Sequence, residues 1–464
     1  MELSAAQKKD EAVRHDTAML KSGRKRRMTD RFGFYVDGAR GGKQISRRPS
    51  RIQVFLETKR EQKWRKMLEQ NSAADGGAAQ VTHANQRSAR QKKVLKRRVR
   101  KGIPNSVRSH AWWSLSGAQS LLECCNKNDE PDYNNLCKTA ANLFKNNNPV
   151  YVVEDDIRNS KEYAVLHKHI SDNYKWDNVI KEDLTRTFPN HILFDVSDKA
   201  AEDVSQKAKA HRTLVALQRL LRCYGLSNKQ RKDLVPKVGE INHASDSNFQ
   251  YFGYTQGMNF IAGMFLSYMP EDRAFYMLKN VMEAEHYNMA GLYSNKTPLI
   301  PLSWFIAESL LKKHLPSLHR HFQKENIVPS MFITEWVVTF YTRSFPFNFV
   351  VRVWDIFLYE KHWKIFYRVA LAILKYFKKQ FLESDFEQIM TLFRSIPIKV
   401  AADGDKFIQT ATRRMSNGYY GDETGQVADD IIQLALKIKV KRKDIDDLKR
   451  QFDEDKDGHS RKYL

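Results

Sequence analysis

Apolar residues recur along most of this chain at spacings of three and four, the period of a helix buried on one face. Ile52, Val54, Phe55, Trp64, Met67 and Leu68 follow it near the start, with Thr58 among them. Leu214, Leu217, Leu220, Leu221 and Tyr224 repeat it, as do Ile306, Leu310, Leu311, Leu315 and Leu318. Val350, Val353, Trp354, Phe357 and Leu358 continue the pattern, followed by Phe366, Val369, Ile373, Leu374 and Phe377. Strand-like alternation is scarce and no Gly-rich phosphate loop occurs, so the pattern predicts an all-α fold.

The pattern is interrupted where large apolar groups thin out. Residues 1–50 and 70–90 carry too few of them to offset the entropy of ordering, and both are expected to be flexible. Pro236, Gly239, Asn242, Ser245, Asp246, Ser247 and Asn248 break any long helix between Leu226 and Gly253, which reads as a surface excursion. The expected organisation is a disordered basic region over 1–50, a helix and basic linker over 51–98, and a compact helical domain over 99–436. A charged helix and tail follow over 437–464.

Charge changes the picture next. Lys and Arg number 78 against 54 Asp and Glu, a formal net charge of +24, which favours anionic partners without choosing among them. Nine of the fifteen residues from Arg87 to Lys101 are basic. That run reads either as a patch for phosphate or an anionic lipid surface or as a solvated basic approach to the domain. It holds no aromatic residue to stack on a base, and no recognition module accompanies it, so no specific nucleic acid is expected.

Cys124, Cys125, Cys137 and Cys223 form no C-x-x-C pair and the N-terminus is polar, which fits a reducing, cytoplasmic setting. Asn248 to Pro270 is uncharged and long enough to span a bilayer. Gln250, Gln256, Asn259 and three glycines within it argue instead for a buried loop followed by a core helix. Asp453, Asp455, Asp457 and Gly458 match the first half of a calcium loop, but Leu464 stands where a bidentate glutamate is needed.

Four segments carry candidate chemistry. Pro104 suits a helix start, with Arg108, Trp112 and Leu115 following on one side as a core anchor. Ile180 and Leu184 share a helix face while Arg186 points away from it, and Phe188 before Pro189 disfavours continuation. Arg186 is therefore presented near a helix end, where a surface pair with Asp183 is its plainest role. Gly253 and Gly257 bracket Tyr254 and Gln256 and permit a tight backbone approach before an apolar helix. Read singly, Gln256 is a capping or backbone-bonded amide. Arg352 and Asp355 lie three apart on a mostly apolar helix, so their burial requires pairing or hydrogen bonding.

In this order the four segments resemble the signatures of the TBC domain found in GTPase-activating proteins for Rab GTPases. Ile180, Asp183 and Arg186 meet I-x-x-D-x-x-R, and Tyr254 and Gln256 meet Y-x-Q. The resemblance implies a V-shaped, two-lobed helical domain over 99–436 that supplies an arginine finger, Arg186, and a glutamine finger, Gln256, in trans. Asp183 would orient Arg186 or the surrounding backbone, with Tyr254, Arg108, Trp112, Arg352 and Asp355 in support.

The implied partner is a GTP-bound Rab-family GTPase that carries its own GTP and Mg²⁺. The chain itself then needs no cofactor and is an activator more than an enzyme. Regulation of vesicle trafficking follows from the resemblance, as does peripheral association with endomembranes. The alternative is a catalytically silent scaffold or Rab effector, against which stands the presence of both fingers. The long spacer before Gly253 bears on partner preference more than on chemistry.

Overall fold

The computed structural model describes residues 29–30, 32–34, 51–72, 88–127, 132–144, 175–197, 204–227, 253–293, 299–401 and 426–454. Most of 1–50, the core of the 70–90 stretch, the 228–252 excursion and the calcium-loop-like 455–464 lie outside them. Among the described residues there is no strand, and the periodic stretches fall on helices, apart from Leu315 and Phe377, which join consecutive helices, and Leu318, which lies on the helix after Leu315. The fold is all-α.

The chain runs through α1 (Arg51–Ser72), α2 (Ala89–Arg100), α3 (Asn105–Ser116), α4 (Ala118–Lys127), α5 (Tyr133–Leu143) and α6 (Lys175–Arg186). It continues with α7 (Val204–Ser227), α8 (Met258–Leu266), α9 (Glu271–Glu283), α10 (Leu299–His314), α11 (Pro316–Lys324) and α12 (Ser330–Val338). The last are α13 (Phe347–Glu360), α14 (Lys364–Tyr376), α15 (Lys378–Leu382), α16 (Phe386–Ala401), α17 (Gln426–Lys437) and α18 (Arg442–Glu454).

The helices pack in two groups. In the first, α7 lies against α5, α6, α8 and α9, and α9 against α3 and α4. In the second, α10 packs on α11, α12, α14 and α18, and α17 on α14 and α16. Helix α13 touches α2 and α3 on one side and α14 and α17 on the other. It is buried on nearly every side, as a mostly apolar helix must be.

Local chemistry sets several helix limits. Ser88 and Gln91 form a reciprocal capping box at the start of α2. Pro104 caps α3, and Gly117 ends it in the left-handed region at φ 94°. Among the described residues no helix is long and apolar enough to cross a membrane. Met258 to Phe265, from the uncharged stretch, are buried within α8.

The charges on α13 each pair with a residue of another element. Asp355 accepts from Arg108 Nε at 3.2 Å, Trp112 Nε1 at 2.7 Å and the Ile103 amide at 2.9 Å. Burial still pushes its carboxyl above the usual range, against the pull of Arg108. Arg352 reaches the opposite way, 3.6 Å from Asp429 of α17 and 3.2 Å from the Arg100 carbonyl. Its guanidinium rests on Gly102, where an added Cβ would lie 2.5 Å from Nε. The i, i+3 spacing of Arg352 and Asp355 thus serves two separate neighbours. Arg108, Trp112, Arg352 and Asp355 form a buried junction between α2, α3, α13 and α17.

Five residues of the N-terminal region, Thr29, Asp30 and Phe32 to Phe34, are placed on the helical body. Phe34 bridges antiparallel to His191, in the loop that follows α6. The helical periodicity carried no sign of this contact.

Candidate catalytic site

Helix α6 is fixed to the domain at its start. Trp176 and Ile180 are buried, and Asp177 makes a two-pronged pair with Arg222 of α7 at 2.7 and 2.9 Å. At its other end Arg186 is the last helical residue. Its cation lies at the negative pole of the helix, a favourable placement. Phe188, two residues on, adopts φ 46° before Pro189 and turns the chain away. Arg186 is left projecting, with 59% of its side chain exposed and Asp183 Oδ1 at 3.6 Å.

The second segment approaches from the start of α8. Gly253 lies beneath the Trp176 indole, so close that an added Cβ would be 2.3 Å from ring atoms. Gly257 takes φ 107° to enter α8, a conformation only glycine adopts without strain. Between the two, Tyr254 is buried and Gln256 is exposed. Both glycine expectations are met in the geometry.

The two segments meet at Asp183, which is 1% exposed. Its Oδ2 accepts from the Tyr254 hydroxyl at 2.6 Å. Its Oδ1 faces both Arg186 and Gln256 Nε2, the latter at 3.5 Å, the long limit of a hydrogen bond. Burial and the neighbouring carboxylate both push the Tyr254 phenol up, so it stays a donor.

Two residues absent from the sequence-derived site complete the joint. Asn259 accepts from the Gly257 amide at 3.1 Å and donates to Thr187 Oγ1 at 2.8 Å. Thr187 in turn donates to the Asp183 carbonyl at 2.8 Å. The end of α6 and the glutamine loop are therefore one hydrogen-bonded unit. Both residues flank quoted motifs, Thr187 next to Arg186 and Asn259 just after Gly257, and that adjacency was the available signal.

A family model described as the Rab-GTPase-TBC domain matches residues 105–382, from the first residue of α3 to the last of α15. The chain belongs to this family. Among TBC relatives, TBC1 domain family member 10A of Mus musculus is 28% identical over 380 residues, 80% of this chain and 58% of its own length. TBC1 domain family member 10B of Mus musculus is 27% identical over 351 residues, 75% of this chain and 33% of its own. The chain thus spans about a third to three-fifths of these two relatives. TBC1 domain family member whacked of Drosophila melanogaster is 29% identical over 352 residues, 74% of this chain and 70% of its own.

A solved Chlamydomonas flagellar RabGAP TBC domain is also similar, with 21% identity and a TM-score of 0.48. That match covers 88% of this chain and 98% of the solved one. In this TBC chain, Arg186, Asp183, Tyr254 and Gln256 are brought together. The four other candidates lie in the α13 junction.

Proposed function

We propose that this chain accelerates GTP hydrolysis on a Rab-type small GTPase by inserting Arg186 and Gln256 beside the γ-phosphate. The observation that carries the reading is that both side chains are exposed and converge on one buried carboxylate, Asp183.

Phosphoryl transfer spreads negative charge over the transferred oxygens, so an activator mainly places positive charge and aligns water. A guanidinium is always charged and offers a planar fork to two oxygens, which an ammonium cannot. A carboxamide both donates and accepts, and can hold the attacking water against the phosphate. At 3.6 Å the Asp183 contact is long for a charge-assisted bond. Arg186 can leave it for a phosphate at little cost, with the end of α6 setting where its side chain starts. The nucleotide and its Mg²⁺ come with the partner.

Arginine fingers contribute about 10³ to 10⁵ in rate, roughly 4 to 7 kcal/mol of barrier. Single-turnover hydrolysis across a panel of purified Rab GTPases tests the reading, comparing wild type with Arg186→Ala and Gln256→Ala. Arg186→Ala should lose most of the stimulation with its unfolding midpoint unchanged, Arg186→Lys should recover little, and Gln256→Ala should fall less far. Binding without acceleration by wild type would replace activation with the effector reading.

The proposal extends to peripheral contact of a cytoplasmic protein with endomembranes, in the service of vesicle trafficking. Lys92, Lys93, Lys96 and Arg97 of α2 are exposed and suit an anionic surface. Arg98 and Arg100 bind inward, to the Lys63 carbonyl at 3.0 Å and to Glu360 at 2.8 Å. Charge reversal at the four exposed positions should weaken binding to vesicles containing phosphatidylserine, and unchanged binding would remove this extension.

A further inference from the structure

The three aromatic residues of the first fifty are Phe32, Phe34 and Tyr35, and the two phenylalanines are the ones placed against the loop after Arg186. Asp30 shapes the turn that carries them. Its Oδ1 accepts from the amides of Phe32 at 2.8 Å and Phe34 at 2.9 Å, and its own amide donates to the Phe34 carbonyl at 2.8 Å. Gly33 sits at φ 91°, with room for a hydrogen but not a side chain, since a Cβ would lie 2.9 Å from His191 Nε2.

The turn closes on the loop by backbone and by ring. The Ile192 amide donates to the Gly33 carbonyl at 2.8 Å, and His191 Nε2 lies 2.7 Å from the Phe32 carbonyl. The Phe34 ring meets His191 at 4.7 Å, Phe347 at 5.2 Å and Phe188 at 5.9 Å between centroids. Phe188 needs such support. A bulky residue in the left-handed region is strained and persists where its surroundings over-determine it. Phe194, Phe260 and Phe347 supply the other ring contacts.

We infer that the Asp30–Phe34 turn is a positioning element for the arginine finger, fixing the end of α6 by closing over Phe188 and His191. The inference rests on the activating role proposed above for Arg186. Among the described residues, the polar contact of that side chain is the long one to Asp183, so the direction of its backbone decides where the guanidinium falls. Undocking the turn leaves the charge in place for partner binding and blurs its geometry. An error of about 1 Å at a reacting centre can cost on the order of 100-fold.

The test uses the full chain, with Phe34→Ala and Gly33→Ala as the undocking variants and Phe34→Tyr as the conservative one. In the free protein, amide exchange over residues 187–195 should quicken about tenfold or more in the first two and stay unchanged in α10 to α14. With a GTPase that wild type accelerates, their maximal single-turnover rate should fall about tenfold, their half-saturating concentration should stay within about twofold, and Phe34→Tyr should restore the rate. Exchange and maximal rate both matching wild type would overturn the inference, as would a loss confined to half-saturation. If wild type accelerates no GTPase, the activating role itself fails. Loop exchange then still decides whether the turn orders the end of α6.

Discussion

The Tyr254 hydroxyl and Asp183 Oδ2 lie 2.6 Å apart in a buried bond that joins positions 71 residues apart in sequence. This bond is the hinge of the candidate site, because the other oxygen of the same carboxylate faces both proposed fingers. Tyr254→Phe keeps the ring and deletes one donor to a buried charge, a loss of about 1 to 3 kcal/mol. Urea unfolding should report that loss, and maximal GTPase stimulation should fall about tenfold as both fingers loosen. A phenylalanine variant matching wild type in both would show that Asp183 holds the site without it.

Gly253 gives a second route to the same joint. The Trp176 indole is held between Gly253 and Gly225, where a Cβ would meet it at 2.3 and 2.9 Å respectively. A rigid ring caught on two sides cannot yield, so Gly253→Ala must push α6 and the glutamine loop apart. The expected cost is about 1 to 3 kcal/mol of stability, together with a fall in stimulation. Gly225→Ala should share the stability loss while sparing more of the activity, since it leaves the backbone beside Tyr254 alone. Equal activity losses would refute that separation.

The helices were legible because their apolar faces recur over many turns, and α7, α10, α13 and α14 coincide with the stretches of Leu, Val and aromatic residues that predicted them. As proposed fingers, Arg186 and Gln256 were suggested only through motif order, since spacing alone reads Arg186 as a surface partner of Asp183, a contact the fold does contain. The Phe32 to Phe34 turn was not legible as structure. Its contacts reach His191 across 159 positions, and a two-ring turn has no period to detect. Arg352 and Asp355 show the same limit, because i, i+3 spacing cannot reveal that each is turned toward a different helix.

The α13 junction should behave oppositely to the finger site. Arg108 is 1% exposed and Asp355 fully buried, so Asp355→Ala strands a guanidinium in the core at about 3 to 5 kcal/mol. Chemical denaturation should show a midpoint well below wild type. The fraction that remains folded should stimulate hydrolysis at nearly the wild-type rate per folded molecule. An active-site-like loss at full stability would give Asp355 a catalytic role instead.

Acid should release the Asp30–Phe34 turn through His191. The ring accepts the Leu193 amide on Nδ1 at 3.1 Å and meets the Phe32 carbonyl through Nε2 at 2.7 Å, which assigns the neutral tautomer with its proton on Nε2. A second proton on Nδ1 would face that amide donor. Burial pushes the imidazole down to about 4, although the Phe32 carbonyl pulls it up. The nearby carboxylates are already engaged. Asp30 Oδ1 holds the amides of its own turn, and Asp195 Oδ1 holds the Ser197 amide. With the turn released, the ring returns toward its ordinary value of about 6.5. The open state then binds more protons between about pH 6.5 and pH 4, and docking weakens as pH falls through that window, by on the order of 3 kcal/mol in all. Above about pH 6.5 the docking energy is fully present and flat. His362, itself buried, is pushed down to about 4 as well, so global stability will also fall, and the readout must be local. Amide exchange over 187–195 should quicken from pH 7 to pH 5, once corrected for intrinsic rates. In His191→Gln, which keeps a donor and does not titrate, that pH dependence should vanish, and its persistence would clear His191 of the role.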